Sequence, residues 1–245
     1  MISIPSAEKV GAVVPAAGRG VRLPGPVPKQ FRLLGGVPML RHTLARLAGE
    51  GRVGTIVVVL PVSEVESFEP PVGLGAEVRA VAGGARRQDS VANGVAALPG
   101  GAEWVVVHDG ARPLLPPGLV GACLGGARES GACIAALSVA DTVKRASGGG
   151  FAEETLPRSD LWLAQTPQVA RRDLLERAIE EAAARGFEGT DEASLLEAAG
   201  VRVKLVPGAK SNLKITTPED LAVAEAYLVQ QEAEEFTSPS PGRAV

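Results

Sequence analysis

The segment VVPAAGRGVRLPGPVPKQF, Val13 to Phe31, brings an apolar run, a small-residue turn at Ala16-Ala17-Gly18 and the cations Arg19, Arg22 and Lys29 into one short stretch. That combination suits phosphate. Backbone N–H groups that small residues leave uncovered form a concave anion site, and cations can close over it. Two known phosphate loops do not fit. A P-loop needs Lys followed by Ser or Thr after a second glycine, and no such pair follows Gly18 or Gly20. A dinucleotide fingerprint needs a third glycine where Leu23 stands and a helix directly after it, which Pro24, Pro26 and Pro28 forbid. On these residues alone, a polyphosphate cradle and a glycine turn leading into a surface loop with solvated arginines stand level.

Other stretches carry possible chemistry. VVVHDGARP is an apolar strand that ends in His108-Asp109, and an Asp at the carboxyl edge of a parallel sheet can hold Mg²⁺ through oxygen or water. A plain Asp-Gly turn is the other reading, and the metal is preferred because an anion-rich site needs a cation. GGARRQDSVANG sets two glycines with Arg86, Arg87 and Ser90 at a helix start; the other reading makes Asp89 or Ser90 a plain N-cap with solvated arginines, which is preferred for Arg86. Thr166 in LAQTPQ and Lys214 in SNLKITTPED read, each alone, as scaffold. His108 stays outside the catalytic set, since a buried, hydrogen-bonded histidine is as common as a base at such a position.

The elements that must position these residues follow a βαβ rhythm. Short β-branched runs (GAVVPA, TIVVVL, EVRAVAG, WVVVHD, GACIAALSV, VRVKLVPG) alternate with helical patterns at 38–47, 86–98, 117–129 and 171–185. This predicts a mostly parallel sheet flanked by helices on both faces. Two later helices show their starts: Thr190 is expected to cap TDEASLLEAAG, and Thr217, followed by Pro218, to cap TTPEDLAVAEAYL. DTVKRASGGGFAEETLP, 141–157, reads as a projecting β-hairpin, either an arm that clasps a second subunit or a loose surface hairpin. Residues 1–234 are expected to form one domain, and the Ser/Pro/Gly-rich end, 235–245, a disordered tail.

Composition narrows the classes. The 245 residues, 45% hydrophobic, suffice for a sizeable core, and a net charge of −3 argues against a general nucleic-acid or membrane-surface binder. Two cysteines and two histidines lack metal-ligand spacing. No signal or membrane-spanning run is visible, so a cytoplasmic protein is expected.

In register, the motifs VVPAAGRGVRLPGPVPKQF, GGARRQDSV, VHDGARP, DTVKR, AQTPQ, TDEASLLEAAG and NLKITTPEDLAVAE resemble the 2-C-methyl-D-erythritol 4-phosphate cytidylyltransferase family from about Val10 to Leu228. The resemblance implies an α/β, Rossmann-like nucleotidyltransferase fold with an exchanged β-arm. It further implies a Mg²⁺-dependent homodimer that joins CTP to methylerythritol phosphate and releases pyrophosphate. By the family pattern, Pro15-Ala16-Ala17-Gly18 and the loop through Arg19 to Gly20 wrap the triphosphate, while Arg22, Lys29 and Lys214 are the catalytic cations. Gly84, Ala85 and Ser90 meet the nucleoside, and Asp109 holds the metal. Asp109, Arg112, Thr142, Arg158 and Thr166 surround the acceptor, some of them from the facing subunit. Ala85 and Gly110 depart from residues common in the family, at positions expected to act through backbone. A fused cyclase domain, present in some members, is not expected here. The rival readings are a ribitol 5-phosphate cytidylyltransferase, an enzyme of the same fold that makes activated sugars, and a nucleotide-binding regulatory module without turnover.

Overall fold

Valine-rich runs that alternate between two buried faces set the centre of the fold. A computed structural model describes residues 9–18 and 28–237. The expected site residues Arg19, Gly20 and Arg22, and residues 238–245 of the expected tail, lie outside the described residues.

In β1 (Val10–Pro15), Ala12 and Val14 face one core cluster and Val13 the other. β4 (Val53–Leu60) repeats the pattern, with Ile56, Val58 and Leu60 on one side and Val57 and Val59 on the other. Strands apolar on both faces require a helical layer on each side. They sit in a seven-stranded sheet with β5 (Glu77–Ala82), β6 (Trp104–Val107), β7 (Ala132–Ser138), β10 (Trp162–Arg171) and β11 (Val203–Pro207), in the order β11-β7-β10-β6-β1-β4-β5. Neighbours are parallel except at β10, which runs antiparallel to both β6 and β7.

On one face lie α1 (Met39–Gly49) and α4 (Leu119–Ser130). Leu40, Leu44 and Leu47 recur at helical spacing along α1 and are all buried. The other face carries α3 (Arg87–Ala96), α5 (Arg172–Arg185) and α6 (Glu192–Ala198). α3 approaches the sheet closely at Gly94, where a Cβ would stand 2.4 Å from a Val13 methyl. A short α2 (Val62–Val65) follows β4. A third cluster, around Leu34, Met39, Leu114 and Ile215, seats α7 (Pro218–Thr237) against the small β2 (Leu33–Leu34) and β3 (Val37–Pro38) ribbon.

Several details differ from the sequence expectations. α6 is capped by Asp191 and not Thr190: the Asp191 carboxylate accepts the Ser194 N–H at 2.9 Å, and the Asp191 N–H donates back to the Ser194 hydroxyl at 3.3 Å. A carboxylate at the N-cap adds charge to the same geometry, so the reciprocal box forms one residue later than expected. At α7 the Thr217 hydroxyl accepts the Asp220 N–H as expected. That helix continues through Thr237, beyond the expected start of the tail at 235. β10 is absent from the runs that read as strands, because Pro167 breaks its pattern. Segment 141–157 contains β8 (Val143–Ala146) and β9 (Ala152–Leu156), an antiparallel pair carrying an Arg145–Glu154 ion pair at 2.6 Å. Among the described residues no helix is long and apolar enough to cross a membrane.

Candidate active site

The strand ends β1 and β6, the start of α3 and the loop before α7 converge on a cavity of about 670 Å³. Its floor is the turn after β1. The Ala16 N–H still belongs to the sheet, donating to Val59 O at 2.8 Å, so the small-residue cradle begins at Ala17 and not at Ala16. Pro15, Ala16, Ala17 and Gly18 all line the cavity, and Lys29 faces it from the short 3₁₀ turn Lys29–Phe31.

Gly84, Ala85 and Ser90 line the same cavity at the head of α3. Ser90 holds that turn in shape: its hydroxyl accepts the Gly84 N–H at 3.1 Å and donates to Arg86 O at 3.1 Å. A Cβ on Gly84 would stand 2.4 Å from Asp89 Cβ, so only glycine fits there. Arg86 also lines the cavity; its side chain remains open to solvent, as expected, and is clasped by Asp89 at 2.7 Å.

Asp109 sits at the cavity's charged end, just past β6, as the sheet topology requires. Its position is fixed from behind. The register of β10 against β7 shifts between Ala164 and Gln168, which takes Thr166 out of the ladder. The Thr166 hydroxyl then accepts the Asp109 N–H at 3.1 Å and bonds His108 Nδ1 at 3.0 Å. Because His108 Nε2 lies 3.1 Å from the Arg112 carbonyl, it must donate there, so Nδ1 accepts from Thr166 and the ring is neutral.

Burial agrees, lowering the His108 pKa from 6.5 to about 4. Between those values the unfolded chain binds a proton that the folded chain does not, so stability falls as pH drops through that window. The loss is about 3 kcal/mol across it. Urea titrations at pH 7 and pH 4.5 are expected to show this difference, and a His108→Gln variant to flatten it. An unchanged slope in the variant would assign the acid sensitivity elsewhere.

Three cations surround Asp109: Lys214 Nζ at 2.9 Å, Arg112 Nε at 3.4 Å and an Arg87 guanidinium nitrogen at 3.5 Å. Burial pushes the carboxyl's pKa up, but Lys214, Arg87 and Arg112 together outweigh that effect and hold it below the usual carboxylate range. Lys214 reaches this position because the Ile215 N–H bonds Ala111 O at 2.9 Å, tying the loop before α7 to the loop after β6.

Glu192 is absent from the sequence expectations, and Arg87 enters them only as one of the arginines at the start of α3. Arg87 pairs with Glu192 through contacts of 2.6 and 3.0 Å, and the Glu192 side chain is 2% exposed. Burial raises the Glu192 pKa, and Arg87 offsets part of that rise. A signal was available: Glu192 shares the buried stripe of α6 with Leu195 and Leu196, a spacing that points a first-turn acid inward. Gln168 locks the pair in place, accepting the Ala193 N–H at 2.9 Å and donating to Asp191 at 2.8 Å.

The structure therefore gathers Pro15 to Gly18, Lys29, Gly84, Ala85, Ser90, Asp109 and Lys214 around one cavity. Arg112 and Thr166 lie buried behind Asp109 and do not line it. Thr142 and Arg158 are exposed at the base of the β8–β9 hairpin, away from the cavity.

A sequence model of the 2-C-methyl-D-erythritol 4-phosphate cytidylyltransferases (IspD) matches residues 10–230. A protein of that name from Syntrophus aciditrophicus is 42% identical, over 91% of this chain and 97% of its own. Another, from Pelotomaculum thermopropionicum, is 45% identical over 90% of this chain and 94% of its own. Among solved structures, the 2-C-methyl-D-erythritol 4-phosphate cytidylyltransferase of Thermus thermophilus superposes with a TM-score of 0.75 at 38% identity, covering 89% of this chain and 98% of that one.

Proposed function

The chain belongs to the 2-C-methyl-D-erythritol 4-phosphate cytidylyltransferase family, and from that premise we propose that it transfers the cytidylyl group of CTP to 2-C-methyl-D-erythritol 4-phosphate. The products are 4-diphosphocytidyl-2-C-methyl-D-erythritol and pyrophosphate. One observation carries the reading: Lys29 and Lys214 line a single cavity with the Ala17-Gly18 turn, and Lys214 Nζ stands 2.9 Å from Asp109.

The acceptor's phosphate is the nucleophile. Its second pKa is about 6, so it is mostly dianionic at neutral pH and needs no general base. Neutral His108, with both ring nitrogens engaged behind the cavity, is consistent with a reaction that needs none. An acceptor oxygen bonds the α-phosphorus while the bond to the leaving pyrophosphate breaks, and pyrophosphate departs with the electron pair. The obstacle is repulsion between a dianion and a triphosphate. Fixed cations aimed at the α-phosphate would remove it, and we assign that work to Lys29 and Lys214, which line the cavity, together with Arg22 by the family pattern.

Asp109, a carboxylate lining the cavity, would hold a Mg²⁺ ion whose other ligands come from substrate phosphates and water, the oxygen chemistry that ion takes. When bound, such an ion neutralises phosphate charge. Lys214, Arg112 and Arg87 hold the same carboxylate in this structure, and with an ion on Asp109 the Lys214 ammonium would be available to the phosphates.

The acceptor half is completed by a second copy. Thr142 and Arg158 do not reach the cavity of their own chain, and the hairpin they flank carries Phe151 near its tip, 78% exposed. A clasp between two hairpins supplies these residues to the facing cavity.

One assay tests the reading: the chain is mixed with Mg²⁺, CTP and either polyol phosphate, pyrophosphate release is followed, and the sample's mass is taken by sedimentation. Release with methylerythritol phosphate from a dimer is expected. Release with ribitol 5-phosphate alone would move the assignment to that acceptor, and release with neither would leave a nucleotide-binding module.

A further inference from the structure

Gln30 follows Lys29 in the 3₁₀ turn, is 4% exposed, and lines the cavity beside Lys29 and Gly18. Its amide nitrogen Nε2 has no hydrogen-bond partner among the described residues. Nearly every buried side-chain donor in a folded protein is paired, and leaving one unpaired costs stability. An apolar side chain would avoid that cost, as its neighbours Phe31 and Leu34 do by packing into core clusters. An orphan donor at the wall of a cavity therefore marks a partner that arrives from outside.

The chemistry of that partner follows from the surroundings. The amide offers two N–H donors and no charge, on a side chain that shares the cavity wall with Lys29 and the small-residue turn, so the group it meets is an acceptor in a setting made for anions. We propose that Gln30 binds the triphosphate of the nucleotide, donating Nε2–H to a phosphate oxygen alongside Lys29. The proposal rests on the CTP reading above. The terminal torsion of a glutamine is soft, so turning the amide toward the cavity costs little. A neutral donor in place before the nucleotide arrives holds the bound triphosphate more than it stabilises charge developing at phosphorus. Its loss therefore raises the KM for CTP more than it lowers kcat.

The test is calorimetric titration of the full chain with CTP and Mg²⁺, on the parent, Gln30→Met and Gln30→Glu, with melting temperatures taken without ligand. Methionine keeps the length and removes the donors; glutamate keeps the shape and presents an anion. CTP affinity is expected to fall about tenfold in Gln30→Met and about a hundredfold in Gln30→Glu. The ligand-free melting temperature of Gln30→Met stays at or above the parent's, because the orphan donor is gone. A purely structural glutamine gives the opposite pattern, a lower melting temperature with unchanged affinity. Affinity of Gln30→Met within about twofold of a CTP-binding parent overturns the proposal alone. A parent that binds no CTP overturns the proposal and the nucleotide reading together. Should Gln30→Met not fold, Gln30→Glu decides by the same comparison.

Discussion

Lys29→Ala is expected to lower kcat by about 10²–10³ with methylerythritol phosphate as acceptor, while the ligand-free melting temperature stays near the parent's. Lys29 leads a short turn at the cavity wall, is half-buried and belongs to none of the apolar clusters, so the core does not depend on its side chain. In the proposed reaction its ammonium would meet an oxyanion that gathers charge as phosphorus becomes five-coordinate. An interaction strengthened at that moment lowers the barrier without tightening substrate, so the loss falls mainly on kcat and little on KM. Lys29→Arg recovers only part of the rate, because a planar fork does not replace a compact point charge. A Lys29→Ala enzyme turning over within about threefold of the parent would remove this lysine from the chemistry.

Glu192→Ala is expected to destabilise the fold by about 3–5 kcal/mol, the cost of breaking a buried ion pair from one side. Arg87 would keep its charge beneath α6, with Asp109 at 3.5 Å as the carboxylate left beside it. That residual contact also pulls on Asp109, the carboxylate proposed to hold the metal, so nucleotide binding should weaken along with stability. The double variant Arg87→Met, Glu192→Leu is expected to recover most of the stability, since buried pairs replaced by apolar groups of similar volume are often neutral. Urea denaturation of the parent and the two variants measures this. A single variant as stable as the parent would mean that Glu192 is protonated in the fold and already contributes as a neutral group.

Much of the molecule is legible in its residues. Val13, Val57, Val105 and their neighbours announce buried parallel strands because both faces of each run are apolar. Ala16-Ala17-Gly18 announce the end of β1 by their small side chains, while most of the proline loop expected after them lies outside the described residues. What escapes depends on partners distant in sequence. Glu192 looks like a helix-dipole acid, because nothing local shows that Arg87 lies beneath it. Thr166 looks like scaffold, because its hydroxyl acquires meaning only beside His108 and Asp109. β10 is hidden by Pro167, yet its position between β6 and β7 compensates with ladder bonds on both sides. Thr190 loses the cap to Asp191 because two adjacent residues could each fill the role and the chain path through Gln168 chooses between them.

The antiparallel strand has a consequence for synthesis. In the sheet order, β7 and β11 meet the block β6-β1-β4-β5 only through β10. A chain still growing on the ribosome can assemble that four-strand block early, but its β6 edge stays open until residues 162–171 emerge and seal it. Thr166 arrives with that strand, and Lys214 is translated later still. The protein's birth thus runs in a fixed order: the small-residue cradle first, the seating of Asp109 with the seam, and the closing cation nearly last. A truncated or stalled product carries the cradle without Lys214, the cation that meets Asp109.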